Sequence, residues 1–340
     1  MSLRIIDANL NRAREGLRTA EEYARLVLND ARAAQALKDV RRELQACEAA
    51  FGPELLAARD IGSDVGTRPA ADDVQRGSET DVARAGLKRA QEALRVIEEF
   101  AQLHSPTAAA AAAKARYGAY AAEQQLFVAA PRRSALQAPL MVVFSDMYMR
   151  EDWRDVLESL LHAGARLFQL REKHIPTRNF AEHATAVQAI TRPMGAVVII
   201  NDRADVAAAT GADGVHLGQD DLNAFQARKI MGPAALIGVS THNLVEALDA
   251  EQMGADYVGL GAMFHTETKK VQSVGGPGLI ARVQPELPIP VFCIGGITRD
   301  RTAELVGQGA RHIAVSSALL NAADPGAEYQ ALCRAFGERA

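Results

Sequence analysis

The stretch Gln169-Leu-Arg-Glu-Lys173 stands directly after the largely apolar run Ala165-Arg-Leu-Phe168. The same change from apolar to polar residues recurs along the second half of the chain, for example where Val197-Val-Ile-Ile200 is followed by Asn201-Asp202. Short apolar runs of this kind are typical of buried β-strands. Polar side chains at the carboxyl ends of such strands are typical of the active site of a (β/α)8 TIM barrel. The pattern therefore predicts a barrel with its chemistry at one rim.

Eight apolar runs can be counted in this half, and they cover residues 140–144, 167–170, 197–200, 214–217, 236–239, 257–260, 291–294 and 312–315. Helical patterns lie between them, such as residues 153–163 and 177–191. Strands that are apolar on both faces and alternate with helices predict a parallel sheet covered on both sides. An open doubly wound sheet is the alternative. No Gly-x-Gly-x-x-Gly motif follows the first strand, which weakens a dinucleotide-binding interpretation.

The first part of the chain has a different composition, rich in Ala, Leu, Arg and Glu with almost no β-branched runs, and it predicts helices only. Pro131 and Pro139 bracket a short polar stretch between the two parts. We therefore predict an α/β TIM barrel preceded by an all-α domain. The predicted domains are a helical domain at residues 1–130, a linker at 131–138 and a barrel at 139–340.

The helical part contains an internal repeat, because residues 10–26 align with residues 87–103 at an offset of 77. The matched charged residues include Arg12, Glu15, Arg18 and Glu22, which recur as Arg89, Glu92, Arg95 and Glu99. At about 100° per residue they cluster opposite an apolar face. They form either a solvated ladder of ion pairs or, because the repeat preserves the same residues, a pseudo-symmetric pocket or a dimer seam. The loop at 59–67, with two carboxylates among glycines, is either a metal and phosphate site or a turn.

Composition excludes several classes of protein. With 38 Lys and Arg against 42 Asp and Glu, the net charge is −4, so no global basic field points to nucleic acid or an anionic membrane. The three cysteines are far apart in the sequence and odd in number, which fits a reducing cytosol and argues against a disulfide framework or a zinc site. The first residues lack the apolar segment of a signal peptide. We therefore expect a cytoplasmic protein that acts on small molecules.

Carboxylates follow two successive strands of the predicted barrel. Asp202 follows the third strand, and Asp220 and Asp221 follow the fourth. Neighbouring strands are about 4.8 Å apart, so carboxylates at adjacent strand ends can share one cation. Hard oxygen ligands without His or Cys suit Mg²⁺. The alternative for a single Asp at such a position is a helix N-cap, but two at adjacent strand ends favour a metal site.

Cations and small residues occupy other strand ends. Arg171 and Lys173 follow the second strand, and Thr266-Glu-Thr-Lys269 follows the sixth. Gly295-Gly296 and Ser316-Ser317 end the seventh and eighth strands, where this fold commonly binds phosphate through backbone N–H groups. His216 lies within a strand and is more typical of a core histidine than of a catalyst. A metal position, a cationic patch and a phosphate cradle predict two anionic substrates, one of them a diphosphate bound with Mg²⁺.

Together these motifs resemble the thiamine-phosphate synthase family over essentially all of residues 140–325. The family joins hydroxymethylpyrimidine diphosphate to thiazole phosphate and releases pyrophosphate by a dissociative mechanism. The resemblance implies that Asp202 and Asp221 bind Mg²⁺. It implies that the pyrimidine diphosphate is bound by Gln169, Arg171, Lys173, Asn201, Ser240 and Lys269, of which Arg171, Lys173, Ser240 and Lys269 assist catalysis. It implies that the thiazole phosphate is bound by Thr266, Thr268, Gly296, Ser316 and Ser317.

The alternative within the barrel is a thiazole tautomerase-like protein or a sensor of thiazole phosphate, since related tautomerases share the fold and parts of these motifs. Lys173, Asp221 and the Thr266-x-Thr-Lys269 segment favour the synthase. The helical part resembles the small domain fused to some of these synthases, proposed to be a hydroxymethylpyrimidine-phosphate kinase. Its Arg-Ala-x-Glu-x-Leu-Arg-x-x-Glu-Glu helix occurs here twice. The resemblance implies ATP as a further ligand, a dimerisation module is the rival interpretation, and a homo-oligomer is expected.

Overall fold

The structure is a computed structural model that describes residues 2–59, 77–265 and 275–337. The chain divides into two compact units, Met1–Ala130 and Pro131–Ala340. The stretch 131–138, which the sequence marks as a linker, is helical through Ala135, and Leu136 is buried against residues of the barrel interior. No helix among the described residues is both long enough and apolar enough to cross a membrane.

The helical unit consists of two long hairpins, and its helices are α1 (Ser2–Glu22), α2 (Ala31–Ala49), α3 (Glu54–Ala57), α4 (Glu79–Ala101) and α5 (Pro106–Gln124). Each of three long helices begins at a residue whose side chain accepts a backbone N–H, namely Asp30, Ser78 and Ser105. A π-helical turn, Gln125–Ala129, continues α5 into α6 (Ala130–Ala135).

Helices α1 and α4 pack with their backbones in close approach. A Cβ atom on Gly16 would lie 2.2 Å from the carbonyl oxygen of Gly86, a distance that no side chain permits. Near one end of the pair, the hydroxyls of Tyr23 and Thr80 are hydrogen-bonded at 2.8 Å, so the two helices run antiparallel. The predicted apolar face of α1 is buried against its neighbours. The repeated helices thus form the centre of the unit.

The second unit is a closed barrel of eight parallel strands in the order β1 to β8. The strands are β1 (Leu140–Phe144), β2 (Leu167–Leu170), β3 (Val197–Asn201), β4 (Gly214–Leu217), β5 (Leu236–Thr241), β6 (Tyr257–Gly261), β7 (Val291–Ile294) and β8 (His312–Val315). All eight lie where the sequence predicts them, and β3, β5 and β6 extend one or two residues further. The α/β barrel with a preceding helical region is therefore confirmed, and the open sheet is excluded because β1 also pairs with β8.

The helices of the barrel unit are α7 (Trp153–His162), α8 (Thr177–Thr191), α9 (Ala204–Thr210), α10 (Ala224–Met231), α11 (Leu244–Gln252), α12 (Gly278–Val283), α13 (Thr302–Gly307), α14 (Ser317–Leu320) and α15 (Pro325–Gly337). Apolar side chains fill two layers, one between strands and helices and one inside the barrel. The interior layer includes Met141, Leu167, Tyr257 and Phe292. Because all strands are parallel, every carboxyl end reaches the same rim.

Candidate active site

The end of β2 carries the residues of the Gln169-Leu-Arg-Glu-Lys173 motif. Gln169 is buried in the barrel interior, with 3% of its surface exposed. The backbone N–H of Arg171 donates to the carbonyl of Phe144 at 2.8 Å, which extends the pairing of β2 with β1 by one residue beyond the strand. The Arg171 side chain is half-buried, and Lys173 is exposed. The motif therefore runs from the interior of the barrel to its rim.

Lys173, Asp202 and Asp221 meet at the ends of β2, β3 and β4. The Lys173 ammonium lies 3.4 Å from Asp202 Oδ2. Burial raises the pKa of Asp221, the neighbouring Asp202 carboxylate raises it further, and Lys173 lowers it. Two carboxylates this close repel each other and favour a shared proton or a cation between them. The two predicted metal ligands, Asp202 and Asp221, thus lie together beside Lys173, which is predicted to bind the diphosphate.

Neither Asp202 nor Asp221 caps a helix, although a helix N-cap was the alternative interpretation of the sequence. Helix α9 is preceded by Arg203, and α10 begins at Asn223 in a capping box with Gln226. Asp221 instead accepts the backbone N–H of Gly218 at 2.7 Å. Asp202 has a φ of 63°, in the left-handed region that a non-glycine residue rarely adopts, and its N–H donates to the His216 carbonyl at 2.7 Å. Such a conformation at a strand end is typical of a functional position.

A chain of buried polar side chains crosses the interior below this cluster. His216 is hydrogen-bonded through Nδ1 to the Tyr257 hydroxyl and through Nε2 to the Ser240 hydroxyl, both at 3.0 Å. Tyr257 is wholly buried, which raises its pKa, while a hydrogen bond with Gln169 lowers it. Asn201 is buried beside His216 in the register of β3 and β4. His216 is thus the core histidine that the sequence suggests, and it also holds Ser240.

Two glycines with positive φ follow β7, and two serines follow β8. Gly296 has a φ of 62°, and a Cβ atom there would lie 2.4 Å from the carbonyl oxygen of His265. Arg301 donates a hydrogen bond to the Gly296 carbonyl and stacks over Phe264. Ser316 precedes α14 but its side chain makes no capping hydrogen bond, and both Ser316 and Ser317 are half-buried. Among the described residues, no hydrogen bond joins these serines to Lys173, Asp202 or Asp221.

Three of the predicted substrate-binding residues, Thr266, Thr268 and Lys269, lie outside the described residues. So does most of the glycine-containing loop at 59–67. Arg59, at its start, forms a bidentate pair with Asp7, with distances of 2.8 and 2.7 Å.

A second cluster at the same rim was not anticipated from the sequence. Oxygen and nitrogen atoms of Asp146, Glu172 and His183 lie within 4.8 Å of one another, so this set could hold a metal ion. Glu172 accepts the backbone N–H of Asp146 at 3.0 Å, and His183 packs edge-on against Trp153. Burial raises the pKa of Glu172 to about 7, raises that of Asp146 and lowers that of His183. The available signal was Glu172 itself, inside the motif, and Asp146, which follows β1 as Asp202 follows β3.

Comparison with known proteins shows which families the two parts of the chain match. The profile of the family described as thiamine monophosphate synthase matches residues 140–319, and that of the ThiD2 family matches residues 4–125. A thiamine-phosphate synthase of Gloeobacter violaceus is 41% identical over 326 residues, covering 95% of this chain and 94% of the relative. One from Synechocystis sp. is 37% identical over 325 residues, covering 95% of this chain and 92% of the relative.

Among solved structures, a thiamine phosphate pyrophosphorylase from Pyrococcus furiosus superposes with a TM-score of 0.55 at 34% identity. The alignment covers 60% of this chain and 98% of that protein, which corresponds to one of the two units.

Proposed function

The chain belongs to the thiamine monophosphate synthase family, and from this premise we propose how its barrel works. The protein is a transferase with thiamine-phosphate synthase activity in thiamine biosynthesis. The proposed reaction joins hydroxymethylpyrimidine diphosphate to thiazole phosphate and releases pyrophosphate. The observation that carries the proposal is the meeting of Lys173, Asp202 and Asp221 at one point of the rim.

The proposed bond changes are dissociative. The carbon–oxygen bond between the pyrimidine methylene and its diphosphate breaks, and the electron pair leaves with pyrophosphate. The thiazole nitrogen then donates its lone pair to the resulting pyrimidine methyl cation. Such a reaction requires stabilisation of negative charge on the leaving group rather than a strong base. Arg171, Lys173 and Lys269 are the cations assigned to this task.

Asp202 and Asp221 fit Mg²⁺, because both offer hard carboxylate oxygens and they lie close enough to share a cation. When bound there, Mg²⁺ would neutralise charge on the diphosphate. The left-handed backbone of Asp202 fixes the direction of one carboxylate, and the Gly218 N–H fixes that of the other. Lys173 then orients one diphosphate oxygen beside the pair.

The remaining residues divide between the two substrates. Gln169, Asn201 and Ser240 are assigned to the pyrimidine side, where the His216–Tyr257 pair holds the Ser240 hydroxyl in place. The thiazole phosphate is assigned to Thr266, Thr268, Gly296, Ser316 and Ser317. Gly296 supports this assignment because its backbone is bare and any Cβ atom would close the cradle.

The reaction is tested by incubating the full chain with both phosphorylated substrates and Mg²⁺ and measuring thiamine phosphate and pyrophosphate. We expect the two products to form in equal amounts and a metal chelator to abolish them. A background level of thiamine phosphate in the presence of Mg²⁺ would contradict the proposal.

For the helical unit we propose that it phosphorylates hydroxymethylpyrimidine phosphate with ATP, which would supply the diphosphate that the barrel consumes. The match of residues 4–125 to the ThiD2 family supports it. The test uses the full chain carrying Asp202→Asn, so that the barrel does not consume the product. Accumulation of pyrimidine diphosphate is expected. A stable dimer without turnover would favour the rival role as a dimerisation module.

A further inference from the structure

The duplication in the helical unit extends beyond the repeat seen in α1 and α4. The buried residues of α2 recur in α5 at a spacing of 75, so that each hairpin is one copy. In the first copy, Glu21 on α1 pairs with Arg41 on α2, and in the second Glu98 on α4 pairs with Arg116 on α5 at 2.7 Å. The Glu side chains are 5% and 14% exposed. These ion pairs serve the fold, because both copies keep them.

The repeated charged residues include one ion pair along each of α1 and α4. Arg18 pairs with Glu22 at 2.8 Å, and Arg95 pairs with Glu99 at 2.7 Å, each along one helix. The side chains of Arg12, Glu15, Arg89 and Glu92 are exposed. The two ion pairs of this face are exposed and contribute little to stability. A pseudo-symmetric pocket or a dimer seam along it stays a prediction.

Around the Glu–Arg pair of the first copy, the surface forms an open cleft of about 260 Å³. It is lined by Glu21, Lys38, Arg41, Arg42 and Gln45. In the second copy the positions that match Lys38, Arg42 and Gln45 are Ala113, Tyr117 and Tyr120. The same fold therefore forms without these cations, and their presence in the first copy needs a reason other than stability.

Of the three cations that line the cleft, Arg41 is paired with Glu21, whereas Lys38 and Arg42 are not paired with a residue of the cleft. Lys38 has no hydrogen-bond or ion-pair partner among the residues that the structure describes. Arg42 forms an ion pair with Asp39 at 2.7 Å. The two side chains are 69% and 56% exposed, so the pair is weak and Arg42 can bind another anion instead. The cleft thus gathers three cations around one carboxylate in a chain whose net charge is −4.

We propose that this cleft binds the phosphate group of a phosphorylated small molecule. Guanidinium groups donate two parallel N–H groups to phosphate oxygens, and a lysine ammonium adds a point charge. The cleft is slightly smaller than a common small-molecule pocket of about 300–1,000 Å³, so it holds a phosphate and leaves the rest of the ligand along α1 and α2. The site is independent of the barrel activity.

The test is calorimetric titration of the full chain with inorganic tripolyphosphate at low ionic strength. The parent, the cleft variant and the control all carry Lys173→Gln. This substitution weakens the proposed diphosphate site of the barrel, so any residual binding there is the same in all three proteins. The variant Lys38→Ala/Arg42→Ala removes the two exposed cations of the cleft. It keeps the ion pair between Arg41 and Glu21, because loss of Arg41 would leave a buried carboxylate unpaired and destabilise the fold. Binding is expected to weaken roughly tenfold or more, as for the loss of two charge-assisted hydrogen bonds.

The matched control is Arg95→Ala/Lys114→Ala, which removes the same charge from exposed positions of the second copy. Binding in this control is expected to match that of the parent. Equal affinities in the cleft variant and the parent, an equal loss in the control, or no binding by the parent would each overturn the proposal. The readout is binding alone and needs no turnover, so it does not depend on the synthase or kinase proposals.

Discussion

Two groups of carboxylates lie at the carboxyl end of the barrel, and they differ in their surroundings. Asp202 and Asp221 lie beside the exposed cation Lys173, and neither caps a helix. Asp146 and Glu172 lie beside His183, burial raises the pKa of both, and Glu172 is bonded to the backbone of Asp146. A nearby cation favours the charged form of a carboxylate, whereas burial favours its neutral form. The first group is therefore suited to binding charge, and the second to joining β1, the β2 motif and α8.

The substitution Asp202→Asn tests this difference most directly, and we expect it to have the largest effect. Asparagine tolerates the left-handed backbone, so the change removes charge without adding strain. Loss of one group that stabilises a charged transition state costs about 100- to 1,000-fold in rate, and we expect kcat/KM to fall in that range. The Mg²⁺ concentration for half-maximal rate should rise as well. Steady-state kinetics over an Mg²⁺ series measures both, and an unchanged rate would remove the metal assignment.

Lys173→Gln should have the next largest effect, a fall in kcat of about 100-fold, because the ammonium is assigned to the leaving diphosphate. Combined with Asp202→Asn in a double-mutant cycle, its effect should be much smaller than when it is made alone, since the two side chains are 3.4 Å apart. Additive effects would indicate that Lys173 and Asp202 act on separate parts of the substrate.

Asp146→Asn is the matched change in the second group. We expect kcat/KM to change by less than about threefold, equivalent to roughly 0.7 kcal/mol of transition-state binding. The Mg²⁺ requirement should stay the same. If Asp146→Asn raised the Mg²⁺ requirement strongly and Asp202→Asn did not, the metal would be assigned to the second group rather than the first.

Glu172→Gln should have the smallest effect, and on stability rather than rate. The folded pKa of Glu172 is raised by burial from 4.5 to about 7, so the folded state holds a proton that the unfolded state has released in this window. Stability therefore falls as pH rises from about 4.5 to 7, and the substitution should flatten that fall. Denaturant unfolding at pH 5 and pH 8 measures it. The effect is small because the side chain is only half-buried, and an unaltered pH dependence would show that another group titrates.

The sequence predicts the barrel well because each strand is a local run of apolar residues that are buried on both faces. β2 and β7 lie at the predicted residues, and the observed ends of β3 and β5 differ by only one or two. The convergence of Asp202 with Asp221 was predictable too, since adjacent parallel strands bring their carboxyl ends together.

Contacts between distant elements were not predictable in the same way. The link of Asp146 and Glu172 to His183 depends on how α8 packs against the barrel, and nothing in the local pattern fixes that angle. The same holds for Arg41 and Arg116, whose partners depend on the pairing of two helices. The left-handed conformation of Asp202 accompanies the hydrogen bond of its N–H to the His216 carbonyl on β4, a contact between two strands.

The pairing of β1 with both β2 and β8 has a consequence for how the chain may be shortened. Ile313 donates its backbone N–H to the Pro139 carbonyl at 2.9 Å, and His312 bonds the Ala138 carbonyl, so the closure begins before the strand itself. A truncation that removed this segment together with β1 would open the cylinder and leave β2 and β8 with unpaired backbone donors and acceptors. Exposed edges of this kind recruit other chains into intermolecular sheets and aggregates. Solubility of the barrel therefore depends on keeping β1 together with the residues just before it.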